Sequence, residues 1–359
     1  MAGTTGLEPA TSDVTGRRSN QLNYVPALGQ RFQFTTGALA ALQSGERMST
    51  QDFLQAADPA VHRLVPASSR IERIARGFIF TEGPVWTRDG SLVFSDIPAN
   101  SMYRWDPRDG SVSLFRKPSG YDGIDVVPGV FIGSNGLTLD ALGRITVCEH
   151  ANGRVTRIEG DGSLAVLASH FEGKRLNSPN DLVYHSSGDL YFTDPPYGFA
   201  KQDDDPKKEL GFNGVFRLRD GELTLLHQDF SRPNGLAFSP DERVLYVGNS
   251  HPDQRMWMRF DVTPDGLLSN GSIFADLRHT AGTPGNPDGM KLDIEGNLYC
   301  TGPGGGVWIF TPEGKHLGTI HFPELPANLH WGDADAQTLY VTARTSVYRI
   351  RMNLRGIRP

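Results

Sequence analysis

Six short segments each begin on an acid or an amide. They are Glu82-Gly83-Pro84-Val85, Asn135-Gly136-Leu137, Asn180-Asp181-Leu182, Asn234-Gly235-Leu236, Asp288-Gly289-Met290 and Asn328-Leu329-His330. Their leading side chains are hard oxygen donors, two carboxylates among four amides. Brought to one point, such groups are costly to bury without a partner. A divalent cation is the simplest partner. Oxygen ligands of total charge near −2 suit Ca²⁺, Mg²⁺ or Mn²⁺ better than a soft metal. The plainer reading is that Asn-Gly and Asp-Gly are common turn dipeptides. That reading does not account for Glu82 in the same slot, nor for Asp181 after Asn180. Glu82, Asn180, Asn234 and Asp288 are the predicted metal ligands. Asn135 and Asn328 stand second, since six protein ligands would crowd out a substrate.

The segments recur 40 to 54 residues apart. Each is followed by a turn and a short apolar strand, as in R-D-G-S-L-V-F-S-D (88–96), S-S-G-D-L-Y-F-T-D (186–194) and I-E-G-N-L-Y-C-T-G (294–302). A third unit follows most copies, as in S-M-Y-R-W-D (101–106) and G-V-W-I-F-T (306–311). Six such units predict an all-β fold, a six-bladed β-propeller with four-stranded blades around a central channel. The six leading residues would then face one axis. The stretch 71–80 is predicted to pair with 346–351 and close the ring.

The chain has 359 residues, with 35 Lys+Arg against 41 Asp+Glu, a formal net charge of −6. That argues against a nucleic-acid partner. No apolar run is long enough for a membrane span. Two cysteines, Cys148 and Cys300, exclude a disulfide scaffold and read as small buried hydrophobes. Residues 1–47 read as a flexible extension or mis-assigned start, with Met48 an alternative start. Residues 48–69 read as a lead-in with one short helix over 49–65, and 70–359 as the propeller. With no recognisable export signal, the cytoplasm is the expected location.

F-T-E-G-P-V-W (80–86), R-L-N-S-P-N-D-L-V (175–183), R-P-N-G-L-A-F-S-P-D (232–241), P-D-G-M-K-L-D (287–293) and Y-C-T-G-P-G-G (299–305) resemble the senescence marker protein/gluconolactonase family, which includes regucalcin. C-E-H (148–150) and F-T-D-P-P-Y-G (192–198) bring it nearest the bacterial gluconolactonases. The resemblance runs from about residue 70 to the end. It implies a six-bladed propeller with one divalent ion, Ca²⁺ first and Mg²⁺, Mn²⁺ or Zn²⁺ as alternatives. It also implies hydrolysis of a sugar lactone to the aldonic acid. Glu82, Asn234 and Asp288 match the family's metal ligands. Asn180 matches a residue that binds metal in some members and substrate in others, and Asp181 a substrate contact. Ser178 stands where animal members carry an arginine, and Arg175 is the nearby candidate to replace it.

Asp288 is the predicted ligand and base, with Glu82 second. Asn180, Asp181, Asn135 and His330 are the predicted substrate contacts. His150 and His251 are assigned structural or substrate-contacting parts. The charged run 202–208 is placed between blades three and four, as a loop over the channel mouth. No G-x-S-x-G elbow is present, which argues against an α/β-type serine hydrolase. The alternatives are a metal-dependent aryl esterase or phosphotriesterase on the same fold, a non-catalytic interaction platform, and a Ca²⁺-binding regulator.

Overall fold

The structure, a computed structural model, describes residues 50–358. The predicted extension 1–47 lies outside them. Six antiparallel sheets follow one another around an axis. Their innermost strands are Thr81–Trp86, Ser134–Leu139, Leu182–Tyr184, Pro233–Phe238, Met290–Leu292 and Asn328–Gly332. The turn-plus-strand repeats form the second strands, Leu92–Asp96, Ile145–Glu149, Leu190–Asp194, Val244–Asn249, Leu298–Gly302 and Thr338–Ala343.

Inner and second strands carry little in/out alternation because both their faces are covered by neighbouring blades. Thr81–Trp86, Leu92–Asp96, Ser134–Leu139 and Ile145–Glu149 are buried at every position. Val85, Val93 and Met102 of blade one mesh with Leu137, Leu139 and Val147 of blade two. Trp86 stacks on Tyr340 at 5.1 Å and joins blades one and six. Trp331 meets Tyr299 at 5.1 Å and joins six to five. Fourth strands such as Val112–Arg116 lie at the rim and are largely exposed. Both cysteines are buried and free.

The ring closes as predicted. Glu72–Arg76 pairs antiparallel with Ser346–Arg351, in the register Glu72↔Arg349 to Arg76↔Ser346. A segment from before blade one thus supplies the outer strand of blade six.

The lead-in differs from the single predicted helix. It forms two helical turns, Thr50–Phe53 and Val61–Leu64, with a strand Leu54–Ala56 between them. Pro59 disfavours helix at Asp58. Leu54–Ala56 instead adds a fifth strand to blade five, with Leu54 opposite Ile320. That pairing satisfies a sheet edge that would otherwise stay open. Phe53, Val61 and Leu64, which stand at helical spacing in the sequence, pack together with Ile320, Leu329 and Trp331.

Asp194 ends the second strand of blade three and is buried. One oxygen accepts the Asn177 N–H at 2.8 Å and the other has no partner. Burial pushes its carboxyl up from 3.8 to about 7. The folded form therefore binds the proton more tightly than the unfolded form. This contribution to stability is full below pH 3.8 and is lost as pH rises through about 7. Asp194→Asn removes that dependence. Thermal unfolding at pH 5 and pH 8 should show the variant gaining on the wild type at pH 8. Parallel losses in both proteins would contradict it.

Candidate active site

The six leading residues lie at one end of the inner strands. Glu82, Asn135 and Asn234 are second in theirs, Asn328 is first, and Asn180 and Asp288 stand two residues ahead of theirs. Ladder register slips at Glu82/Val85, Ser134/Leu137 and Pro233/Leu236. Each slip is a bulge, a device that re-aims a side chain.

The turn reading of Asn-Gly fails here, because the glycines answer to close approach between blades. A Cβ on Gly83 would stand 2.0 Å from the Asn135 carbonyl oxygen, and one on Gly136 2.6 Å from that of Asn180. On Gly235 it would stand 2.2 Å from the Asp288 carbonyl oxygen, and on Gly289 2.1 Å from Asn328 Oδ1. Each glycine seats the following copy's polar residue against its own strand. In blade three the slot holds Asp181, whose Oδ1 accepts the Leu182 N–H at 2.9 Å.

Glu82, Asn135, Asn180, Asp181, Asn234 and Asn328 are buried. Asp288 is half-buried and opens on a small cleft lined by Phe80, Asn286, Pro326 and Arg344. Glu82 Oε2 accepts the Gly83 N–H at 2.6 Å, and Asp181 Oδ2 lies 3.4 Å from Asn328 Nδ2. Burial, with the charge of Asp181 added, raises Glu82 to about 8. Burial and then the charges of Glu82 and Asp181 push Asp288 well up, while the Asn234 amide works against them. Asp181 is raised by burial too. Three carboxyls thus face one another, none with an ion pair to a basic residue among the described residues.

His150 organises the amides. Asn135 Nδ2 donates to its Nε2 at 3.0 Å, with Asn180 Nδ2 at 3.4 Å. The ring proton is then on Nδ1, toward the Phe131 carbonyl but without full hydrogen-bond geometry. Burial lowers His150 to about 4, so the ring stays neutral and keeps accepting. With their nitrogens so engaged, the two amides have their oxygens left for the channel. Among the described residues no three His, Cys, Asp or Glu side chains suffice to hold an ion. Amide oxygens would have to complete any shell.

Several expectations are corrected. His330 follows Asn328 by two residues on the same strand, but it lines a cavity of about 530 Å³ opening on the other ends of the inner strands. Its Nδ1 lies 2.8 Å from the Trp331 carbonyl oxygen, and burial holds it down to about 3. It is a wall of the lower channel, apart from the acids. Arg175 does not replace the missing arginine. Its guanidinium donates to the carbonyls of Leu176, Asn177 and Ala151. The charged run 202–208 lies inside blade three, between its second strand and Gly214–Arg219. Asp203 in that loop pairs with Arg232, which ties the loop to blade four. His251 accepts the Asp253 N–H at 3.2 Å and shapes a turn.

Two residues of this region escaped sequence reasoning as individuals. Tyr197, in the same loop, hydrogen-bonds Asn234 and Ser250 beside Asp288, and burial pushes it up to about 12. Lys291, in the motif P-D-G-M-K-L-D, lines the lower cavity, and its charge acts on Glu82 and Asp181.

Comparison with known proteins places this geometry among relatives. The family model described as "SMP-30/Gluconolactonase/LRE-like region" matches residues 80–345. A gluconolactonase of Zymomonas mobilis is 39% identical over 333 residues, 89% of this chain and 92% of that protein. The diisopropyl-fluorophosphatase of Loligo vulgaris is 25% identical over 280 residues, 73% of this chain and 84% of that protein. Among solved structures, a gluconolactonase from Xanthomonas campestris superposes with a TM-score of 0.73 at 30% identity, covering 86% of this chain and 97% of that one.

Proposed function

The chain belongs to the SMP-30/gluconolactonase/LRE-like family, and on that premise we propose that this lactone hydrolase opens a sugar lactone of the gluconolactone type in a metal-dependent reaction. The observation that carries the metal is the set of carboxyls, buried Glu82 and Asp181 and half-buried Asp288, that act on one another with no basic residue in ion-pair contact among the described residues. Such a cluster is stable as carboxylates only beside a cation. The donors fit a hard divalent ion, Ca²⁺ first. Glu82, Asn180, Asn234 and Asp288 would hold it. Bound there, a divalent ion would polarise the lactone carbonyl and lower the pKa of water.

The chain's own residues do the rest. The cleft beside Asp288 is of water size and serves the attacking water, while the lactone would lie at the channel end with Asn135 and Asp181 as contacts for its hydroxyls. His150 keeps the amides of Asn135 and Asn180 turned the same way. Asp288, reachable from the cleft, takes the proton of the attacking water. Water oxygen bonds to the carbonyl carbon, the ring C–O bond breaks, and the ring oxygen leaves as a hydroxyl by taking back the proton held on Asp288. The product is the open hydroxy acid.

The test is proton release from D-glucono-1,5-lactone, with the spontaneous rate subtracted. Chelator-stripped protein should lose at least about a hundredfold in rate, and added Ca²⁺ should restore it. Undiminished turnover by protein verified to be metal-free would sink the metal requirement. The relationship to a fluorophosphatase makes phosphotriesters the comparison substrates. Faster turnover of these than of any sugar lactone would reverse the substrate assignment.

A further inference from the structure

Lys291 follows Asp288 by three residues, in the inner strand of blade five. It is half-buried and lines the lower cavity together with His330. Its Nζ donates to the Met290 carbonyl at 3.0 Å. Among the described residues it makes no ion pair. Its charge nevertheless acts upward on Asp181 and Glu82, and sideways on His330. It is an ammonium set below a ring of acids, too far away to pair with any one of them.

We propose that Lys291 is the fixed positive charge that sets this channel site to a divalent ion. The proposal rests on the metal reading above. The charge count carries it. Glu82, Asp181 and Asp288 bring three negative charges, and Lys291 brings one positive charge. His150 and His330 are neutral. Arg232 is neutralised by Asp203. Arg344 at the cleft and Arg358 in the lower cavity are not among the leading influences on the three acids, where Lys291 is the one basic residue. The balance is two negative charges, which one divalent ion cancels. Without Lys291 the balance is three, and a trivalent ion becomes the matching guest. Burial makes this matching matter, since uncompensated charge is costly away from water.

Lys291 is therefore a positioning residue of charge, acting on the metal through the ligand ring. The experiment is calorimetric titration of Ca²⁺ and of Tb³⁺, a trivalent ion of similar size, into chelator-stripped protein. Wild type, Lys291→Met, Lys291→Gln and Lys291→Arg are compared. Two neutral variants are used so that a folding failure in one leaves the other to decide. In the neutral variants the ratio of Tb³⁺ to Ca²⁺ affinity should rise by about tenfold, because each added unit of ion charge gains from the lost ammonium. Lys291→Arg should leave the ratio at the wild-type value. A merely structural lysine would weaken both ions alike. Binding of both ions with an unchanged ratio in the neutral variants overturns the proposal and leaves the metal site standing. Failure of the wild type to bind either ion overturns both.

Discussion

Asp288→Asn should lower lactone turnover by about a thousandfold, the scale of losing a positioned proton acceptor, while raising the thermal stability of the metal-free protein. The two effects have one cause. Asp288 shares the channel end with Glu82 and Asp181, and all three carboxyls are pushed up by burial, Glu82 also by the charge of Asp181 and Asp288 also by those of Glu82 and Asp181. A carboxyl raised in the folded state costs stability above its unfolded value, because the unfolded chain ionises freely there. Asparagine keeps the shape and removes the charge. The metal-free variant should therefore unfold at a higher temperature than the metal-free wild type at pH 8. Saturating Ca²⁺ should raise the wild type by the mass-action amount, about 2.7 kcal/mol at a hundredfold excess over Kd, and the variant by much less. Rates and melting curves with and without chelator decide this. Near-normal turnover by the variant would remove Asp288 from the proton-transfer role. A fall in metal-free stability would show that the acids do not repel one another.

Gly83→Ala is the second large effect. Gly83 has φ +46°, a left-handed conformation that side-chain-bearing residues adopt at a cost. A Cβ there would also stand 2.0 Å from the Asn135 carbonyl oxygen. Backbone strain and overpacking against rigid backbone together cost about 3 kcal/mol or more. The melting temperature should fall by roughly 6 °C or more. Activity should fall as well, because relief of the clash must move Glu82 or Asn135. Gly235→Ala separates the two causes, since its Cβ would meet the Asp288 carbonyl oxygen at 2.2 Å without a left-handed φ. A melting curve for Gly83→Ala that overlays the wild type would refute the close-approach reading of these motifs.

Much of the propeller is legible in the sequence. The six leading residues and the turn-plus-strand units repeat because each blade solves the same packing problem between two neighbours. Trp86, Trp257 and Trp331 are buried packing residues between blades. The misreadings came where local pattern and tertiary demand diverge. Phe53, Val61 and Leu64 have helical spacing, yet the strand Leu54–Ala56 lies among them because blade five offered an open edge. The loop 195–213 sits inside blade three rather than after it. Its flanking strands, Leu190–Asp194 and Gly214–Arg219, pair across a long excursion that strand spacing alone does not reveal.

By itself, the sequence determined the repeat, the blade count, the closing strand and the acids and amides at equivalent slots. These are periodic features, and periodicity is written along the chain. Tertiary structure alone decided what each slot does. It put His150 between Asn135 and Asn180, turned Arg175 onto backbone carbonyls, and left Asp288 open to a cleft while Glu82 stays buried. It separated His330 from the acids and set Lys291 beneath them. These roles depend on which blades meet at the axis and at what depth. Residues as distant along the chain as Glu82 and Asp288 share that environment, and no spacing rule along the chain encodes the electrostatics of a shared centre.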